Sequence, residues 1–142
     1  MLCYKNHRFH VNGVSFQIPD GYFLDTEPED IAQDCVSLWG PEKDFSVSVR
    51  VDTNSRGAEN ELAFILNGME PTILRPAAQI THNGLSGYHA SYRNDRIQYH
   101  EIWFDVADGV TMLILFITKG SILSIDTAAA LVSIDARLDR EA

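Results

Sequence analysis

Eight consecutive residues, Thr111 to Thr118 (TMLILFIT), set the tightest limit on what this chain can fold into. The run is strand-sized, apolar on both faces, and follows Asp108-Gly109, a dipeptide suited to a tight turn. It therefore reads as an antiparallel strand covered on both sides, which requires packed layers above and below its sheet. The fold class that follows is α+β, a predominantly antiparallel β-sheet flanked by helices in an α/β/α sandwich. Leu115, in the middle of the run, is expected in the core.

The rest of the chain supplies the partners for that strand. Arg8 to Val11 leads into Asn12-Gly13, whose tolerance of positive φ suits a hairpin turn, and Val14, Phe16 and Ile18 then alternate with polar residues. Pro19-Asp20-Gly21 ends that strand. Cys35 to Trp39 alternates weakly, whereas Phe45, Val47, Val49 and Val51 alternate cleanly with Ser46, Ser48 and Arg50. Leu62, Ile65, Leu66 and Met69 fall on one face of a helix from about Glu59, which Pro71 stops. Leu85 to Tyr92 and Ile97 to Val106 form a hairpin joined near Asn94-Asp95. A last helix is expected from the N-cap Asp126 to Arg140.

No repeat, linker or low-complexity tract divides the 142 residues, so residues 1–142 read as a single domain. A composition of 45% hydrophobic and 22% charged residues suits a packed core and argues against disorder. The net charge of −9 argues against nucleic acid and anionic membranes as partners, because both are bound through Lys and Arg. Asp20, Asp25, Glu27, Glu29, Asp30, Asp34 and Glu42 carry the excess locally, as a solvated loop or as a dock for a basic partner. Cys3, near the terminus, and Cys35 fit neither a metal spacing nor a disulfide framework. The first ten residues lack the apolar run of a signal peptide, and no segment reaches the ~20 apolar residues of a spanning helix. Cytoplasmic localisation is the expectation.

The order of elements resembles the PsbP-like fold, known from the photosystem II extrinsic subunit P, a Ran-binding import factor and small bacterial domains. The matching positions are Pro19 and Gly21 after the first strand, Gly84 to Tyr88 before the long hairpin, and Ser133-Ile134 in the last helix. The resemblance implies a small bacterial member of this family, with an antiparallel sheet flanked by helices. It also implies scaffolding or protein binding without catalysis, and it brings no catalytic or cofactor residues with it.

The residues with chemical potential lie on the long hairpin. A two-residue Asn94-Asp95 loop would set His89 directly across from His100, near enough to share a metal. No third ligand is evident, however, and the pair shares its face with Ile102 and Phe104. The two histidines are thus weak metal candidates, and no metal or other cofactor is expected. The other face carries Tyr88, Tyr92, Tyr99, Glu101 and Trp103, together with Asp105: either a ligand or partner surface, or the edge of the core. Gly84-Leu85-Ser86-Gly87 is one residue short of a nucleophile elbow and leads into a strand, where an elbow needs a helix. The carboxylates Glu27 and Glu29 sit in the acidic stretch, where nothing would raise a pKa for acid catalysis. The functional expectation is a non-enzymatic accessory or protein-interaction domain with an unknown protein partner. Small-ligand or metal binding along the Tyr/His hairpin is the alternative.

Overall fold

The computed structural model describes residues 2–25 and 34–139. Glu27, Glu29 and Asp30 of the acidic stretch, and the Arg140 end of the expected last helix, lie outside them. In chain order the strands are β1 (Cys3–Lys5), β2 (Arg8–Val11), β3 (Val14–Phe16), β4 (Phe23–Leu24), β5 (Cys35–Trp39) and β6 (Ser46–Asp52). Helix α1 (Ala58–Met69) precedes β7 (Thr72–His82), β8 (Leu85–Asn94), β9 (Ile97–Ala107) and β10 (Val110–Thr118). A short 3-10 turn (Ile122–Ser124), helix α2 (Thr127–Ile134) and β11 (Arg137–Leu138) follow.

The doubly apolar run is β10, and it occupies the middle of a seven-stranded sheet ordered β4-β5-β6-β10-β9-β8-β7. Every described pairing is antiparallel. Met112, Ile114 and Phe116 turn to one face and join Val47, Val49, Ile102 and Phe104. That face packs against Phe9, Val14 and Phe16 of a second sheet, ordered β1-β2-β3-β11, and against Leu131 and Ile134 of α2. Leu113 turns to the other face, where Ala58 and Leu62 of α1 cover Ala90 and Trp103. The layers expected on either side of β10 are therefore present, one of them built from a small sheet as well as a helix. Leu115, expected in the core, is only partly buried at the margin of the α1 layer.

Both α-helices of the described residues are placed by carboxylates. The α1 N-cap is Gly57, which has no side chain to offer, so the Ala58 N–H donates instead to Asp105 Oδ1 of β9 at 2.9 Å. This borrowed cap pins the start of α1 over the hairpin. Asp126 caps α2 as the sequence predicts, accepting from the Ala129 N–H at 2.9 Å.

Helix α2 is shorter than expected. It ends at Ile134, and Asp135 takes a left-handed conformation (φ 51°) that turns the chain back so that β11 pairs with β3. The buried Arg8 guanidinium holds that turn, donating to Asp135 Oδ2 at 2.8 Å and to the Asp135 carbonyl at 2.5 Å. Asn83 Nδ2 donates to Asp135 Oδ1 at 2.9 Å and to the Ala136 carbonyl at 3.1 Å. These long-range bonds override the local helical preference of residues 135–140. Cys3, although near the terminus, is paired in β1 opposite His10.

The hairpin register also differs from expectation. The loop between β8 and β9 is Asp95-Arg96, with Asn94 opposite Ile97. His89 consequently faces Ile102, and His100 faces Ser91. The shift is two residues, so each side chain keeps its expected face.

Candidate functional site

On the α1 side of the hairpin, Glu101 is 4% exposed and lies between two aromatic donors. The Tyr92 hydroxyl donates to Glu101 Oε2 in a short contact, and the Trp103 indole N–H donates to Glu101 Oε1 at 2.8 Å. Burial, the bond to Glu101 and its negative charge all push the Tyr92 hydroxyl well above the ordinary phenol range. Tyr92 stacks on Tyr99 with ring centroids 4.9 Å apart. The structure thus brings Tyr92, Tyr99, Glu101 and Trp103 into one cluster, in which Tyr92 and Trp103 are as deeply buried as Glu101. Tyr88 and Tyr99 keep partial exposure and are the two of the five candidates that an outside molecule can touch. Among the described residues, no buried side-chain nitrogen or oxygen lacks a hydrogen-bond partner.

On the opposite face, His89 Nδ1 and His100 Nε2 lie 3.2 Å apart, one strand step off the directly opposed pairing. Ser91, which the sequence reading passed over, completes the group: its hydroxyl is 2.6 Å from His100 Nδ1. The corrected register is the signal that would have found it. Burial, the neighbouring His89 and the Arg75 guanidinium lower the His100 pKa to about 4, and burial and Arg75 lower that of His89. Neutral rings fit the bonding, since an imidazole that donates from one nitrogen and accepts at the other links Ser91, His100 and His89 in one chain. Among the described residues no three His, Cys, Asp or Glu side chains converge on a point that could hold a metal. Ser91 and His100 are almost wholly buried, so a nucleophilic role would require the strand to open.

Ser86, in the elbow-like tetrad, sits in regular β8 opposite Asp105. Gly87 explains the tetrad's second glycine: a Cβ there would fall 1.7 Å from the Trp103 carbonyl oxygen. The close approach of β9 excludes any side chain at this position.

Tyr88 leads to a third feature, beside the cluster. A groove of about 450 Å³ between α1 and β7 has a predominantly apolar lining, formed by Leu62, Ala63, Leu66, Ala77 and Tyr88. Glu59 and Asn67 add polar groups to it, and Gln79 Nε2 donates to the Tyr88 hydroxyl at 3.2 Å. Phe64, Met69 and Ile73, on the same helix and at the start of the next strand, are exposed apolar residues. Sequence reasoning missed this groove because it gave no strand to residues 72–82, which form its outer wall.

No protein-family model matches the chain, and no curated protein matches it. Solved structures do. The solution structure of cyanobacterial PsbP (CyanoP) from Synechocystis sp. PCC 6803 aligns over 98% of this chain and 92% of its own, with a TM-score of 0.56 and 14% identity. The crystal structure of LpqN, involved in cell envelope biogenesis of Mycobacterium tuberculosis, aligns over 99% of this chain and 90% of its own, with a TM-score of 0.55 and 12% identity. At such identities the likeness concerns the fold alone, and no described helix is long and apolar enough to cross a membrane. Two antiparallel sheets, their order and this near-complete structural overlap identify the architecture as the PsbP-like fold.

Proposed function

We propose that this chain is a non-catalytic accessory domain that works by binding a protein partner, and that the partner docks at the groove between α1 and β7. The observation that carries the reading is the groove itself. It is open to solvent, mostly apolar in its lining, and contains Tyr88, one of the two candidate aromatics with remaining exposure. A concave, mainly apolar site with a few polar groups is the usual form of a binding site. The polar candidates support the same reading from the other direction: Glu101, Ser91 and His100 are buried and bonded within the fold. The acidic balance makes a protein a better partner than nucleic acid or an anionic membrane. We place this role in the cytoplasm, on the sequence expectation.

The test is photo-crosslinking in cells of the source organism, with benzoylphenylalanine replacing the exposed groove residue Asn67 or, as a control, Tyr4 on β1. A discrete crosslinked protein from position 67 and none from position 4 is the expected result. Equal products from both positions, or none from position 67, would overturn the reading. A second reading, a small apolar ligand in the same groove, is favoured by the volume, which falls within the ~300–1,000 Å³ of small-molecule sites. It predicts that native mass spectrometry of the purified protein finds a retained compound.

A further inference from the structure

The groove opens beside the end of a sheet. Strand β7 is the last of the seven, and among the described residues no strand lies beyond it. Its ladder to β8 is irregular between Ile73 and Ala78, where Pro76 also removes a backbone donor, so that stretch is a poor template. From Ala78 the pairing runs without a break through Gln79, Ile80 and Thr81 to His82. This leaves a short regular edge whose outward N–H and C=O groups can take another strand. Gln79 shares a face with Tyr88, to which it is paired and hydrogen-bonded, and that face forms part of the groove. A strand laid along this edge would direct every second side chain over the groove, toward α1.

Charge restricts what such a strand can be. From Gly57 to Leu74 the chain carries Glu59, Glu61 and Glu70 and no Lys or Arg. The adjacent Arg56 is already engaged, 2.7 Å from Glu61. A second copy of this chain would bring a further net charge of −9 against an acidic helix, which disfavours self-association here. We infer that the groove and the β7 edge together receive an extended peptide segment of the partner as an eighth strand, in which the alternate side chains facing α1 include an apolar residue over the groove and Lys or Arg beside the helix's carboxylates. The inference rests on the partner-binding reading of the groove and specifies how the partner is held: main-chain bonds to β7 supply affinity, and the apolar side chain in the groove supplies selectivity.

The experiment selects eight-residue peptides from a random phage-displayed library on the full-length protein, then measures a fluorescein-labelled consensus peptide by anisotropy. Expected are apolar and basic residues sharing one alternate set of positions in the consensus, and at least tenfold weaker binding to the groove variant Ala63→Arg. Ala63 is exposed, so the variant should fold, and its circular dichroism melt checks that it does. Backbone N-methylation of the peptide supplies the separate test of strand addition: one alternate set of positions should abolish binding and the other should leave it intact. Binding that is lost in Ala63→Arg but indifferent to N-methylation at every position would overturn strand addition while leaving the groove a binding site. A library that yields no peptide sensitive to Ala63→Arg would overturn the peptide as occupant. If position 67 also gives no crosslink in cells, the partner-binding reading falls with it. A dimer in sedimentation that Ala63→Arg dissolves would identify a second copy as the occupant and refute the inference.

Discussion

Acidification should destabilise this protein through His100 more than through any other described histidine. His100 is 3% exposed, with Phe116 edge-on to its ring at 6.1 Å, Ser91 on one nitrogen and His89 on the other, and the Arg75 charge nearby. None of these neighbours is an anion that would stabilise an imidazolium. The folded-state pKa is about 4, against 6.5 for an unperturbed histidine. Above pH 7.5 the ring is neutral in both states and contributes no pH dependence. As pH falls below 6.5 the unfolded chain binds a proton that the folded chain refuses until about pH 4, so stability is lost across that window. At about 1.36 kcal/mol per pKa unit, the gap corresponds to about 3 kcal/mol, a large share of the ~5–15 kcal/mol that holds a typical domain. Urea melts at pH 7.5 and pH 4.5, on wild type and His100→Asn, isolate the effect because carboxylate titration is common to both. Wild type should lose about 2–3 kcal/mol more than the variant between the two pH values. Parallel losses, within about 0.5 kcal/mol, would show that the folded protein admits the proton and would refute the argument.

Further outcomes follow from packing and bonding. Gly87→Ala forces a Cβ onto the Trp103 carbonyl and should cost about 3 kcal/mol or more in a urea melt, whereas Gly68→Ala, in open space on α1, should stabilise by about 0.5–1 kcal/mol. Met112→Ala should cost about 2–5 kcal/mol, and Leu115→Ala distinctly less, because Met112 is fully buried and Leu115 is not. Equal costs would mean that the margin of the α1 layer is packed as tightly as the main core. Glu101→Ala leaves the Tyr92 and Trp103 donors buried without an acceptor and should cost about 1–3 kcal/mol for each. Excess zinc or EDTA should leave the melting temperature unchanged, and a zinc-induced rise of several degrees that His100→Asn abolishes would establish a metal site.

What the sequence disclosed, and what it withheld, divides along the range of the interactions involved. Strands β3 and β6 were legible because their apolar residues alternate with polar ones, and β10 because burial on both faces leaves an unbroken apolar run. Asn12-Gly13 was legible because both residues adopt positive φ, 47° and 91°, where few other dipeptides are at ease. Strand β7 was not, since an exposed edge with Pro76 and two irregularities has no hydrophobic period to read. Asn83-Gly84 announces its turn all the same, with φ values of 50° and 79°. The end of α2 was illegible for a different reason: Arg8 and Asn83, 127 and 52 residues away from Asp135, decide it. In the candidate site, faces were assigned correctly and the register was not. Asn94-Asp95 looks like a better turn than Asp95-Arg96, but local preference is a few tenths of a kcal/mol beside the side-chain pairs that a register creates.

Those pairs explain why this hairpin holds its register although both of its faces carry polar groups. A slip of one residue between β8 and β9 would exchange the faces. Glu101 would leave the Tyr92 donor for the side of Phe116, taking Trp103 of its own strand with it, and His100 would leave Ser91 and His89 for the underside of α1. Each would be a buried polar group without its cross-strand partners, at a cost of about 1–3 kcal/mol or more apiece. Apolar residues alone would discriminate less, because both faces of the neighbouring β10 are apolar and accept aliphatic side chains equally well. The two polar clusters therefore act as opposite halves of one constraint. Fixing β9 fixes Asp105, which caps α1, and fixing β8 fixes Tyr88 and the pairing of β7. The groove between α1 and β7 is set by that same register, so the buried Glu101 and His100 shape a surface to which neither is exposed.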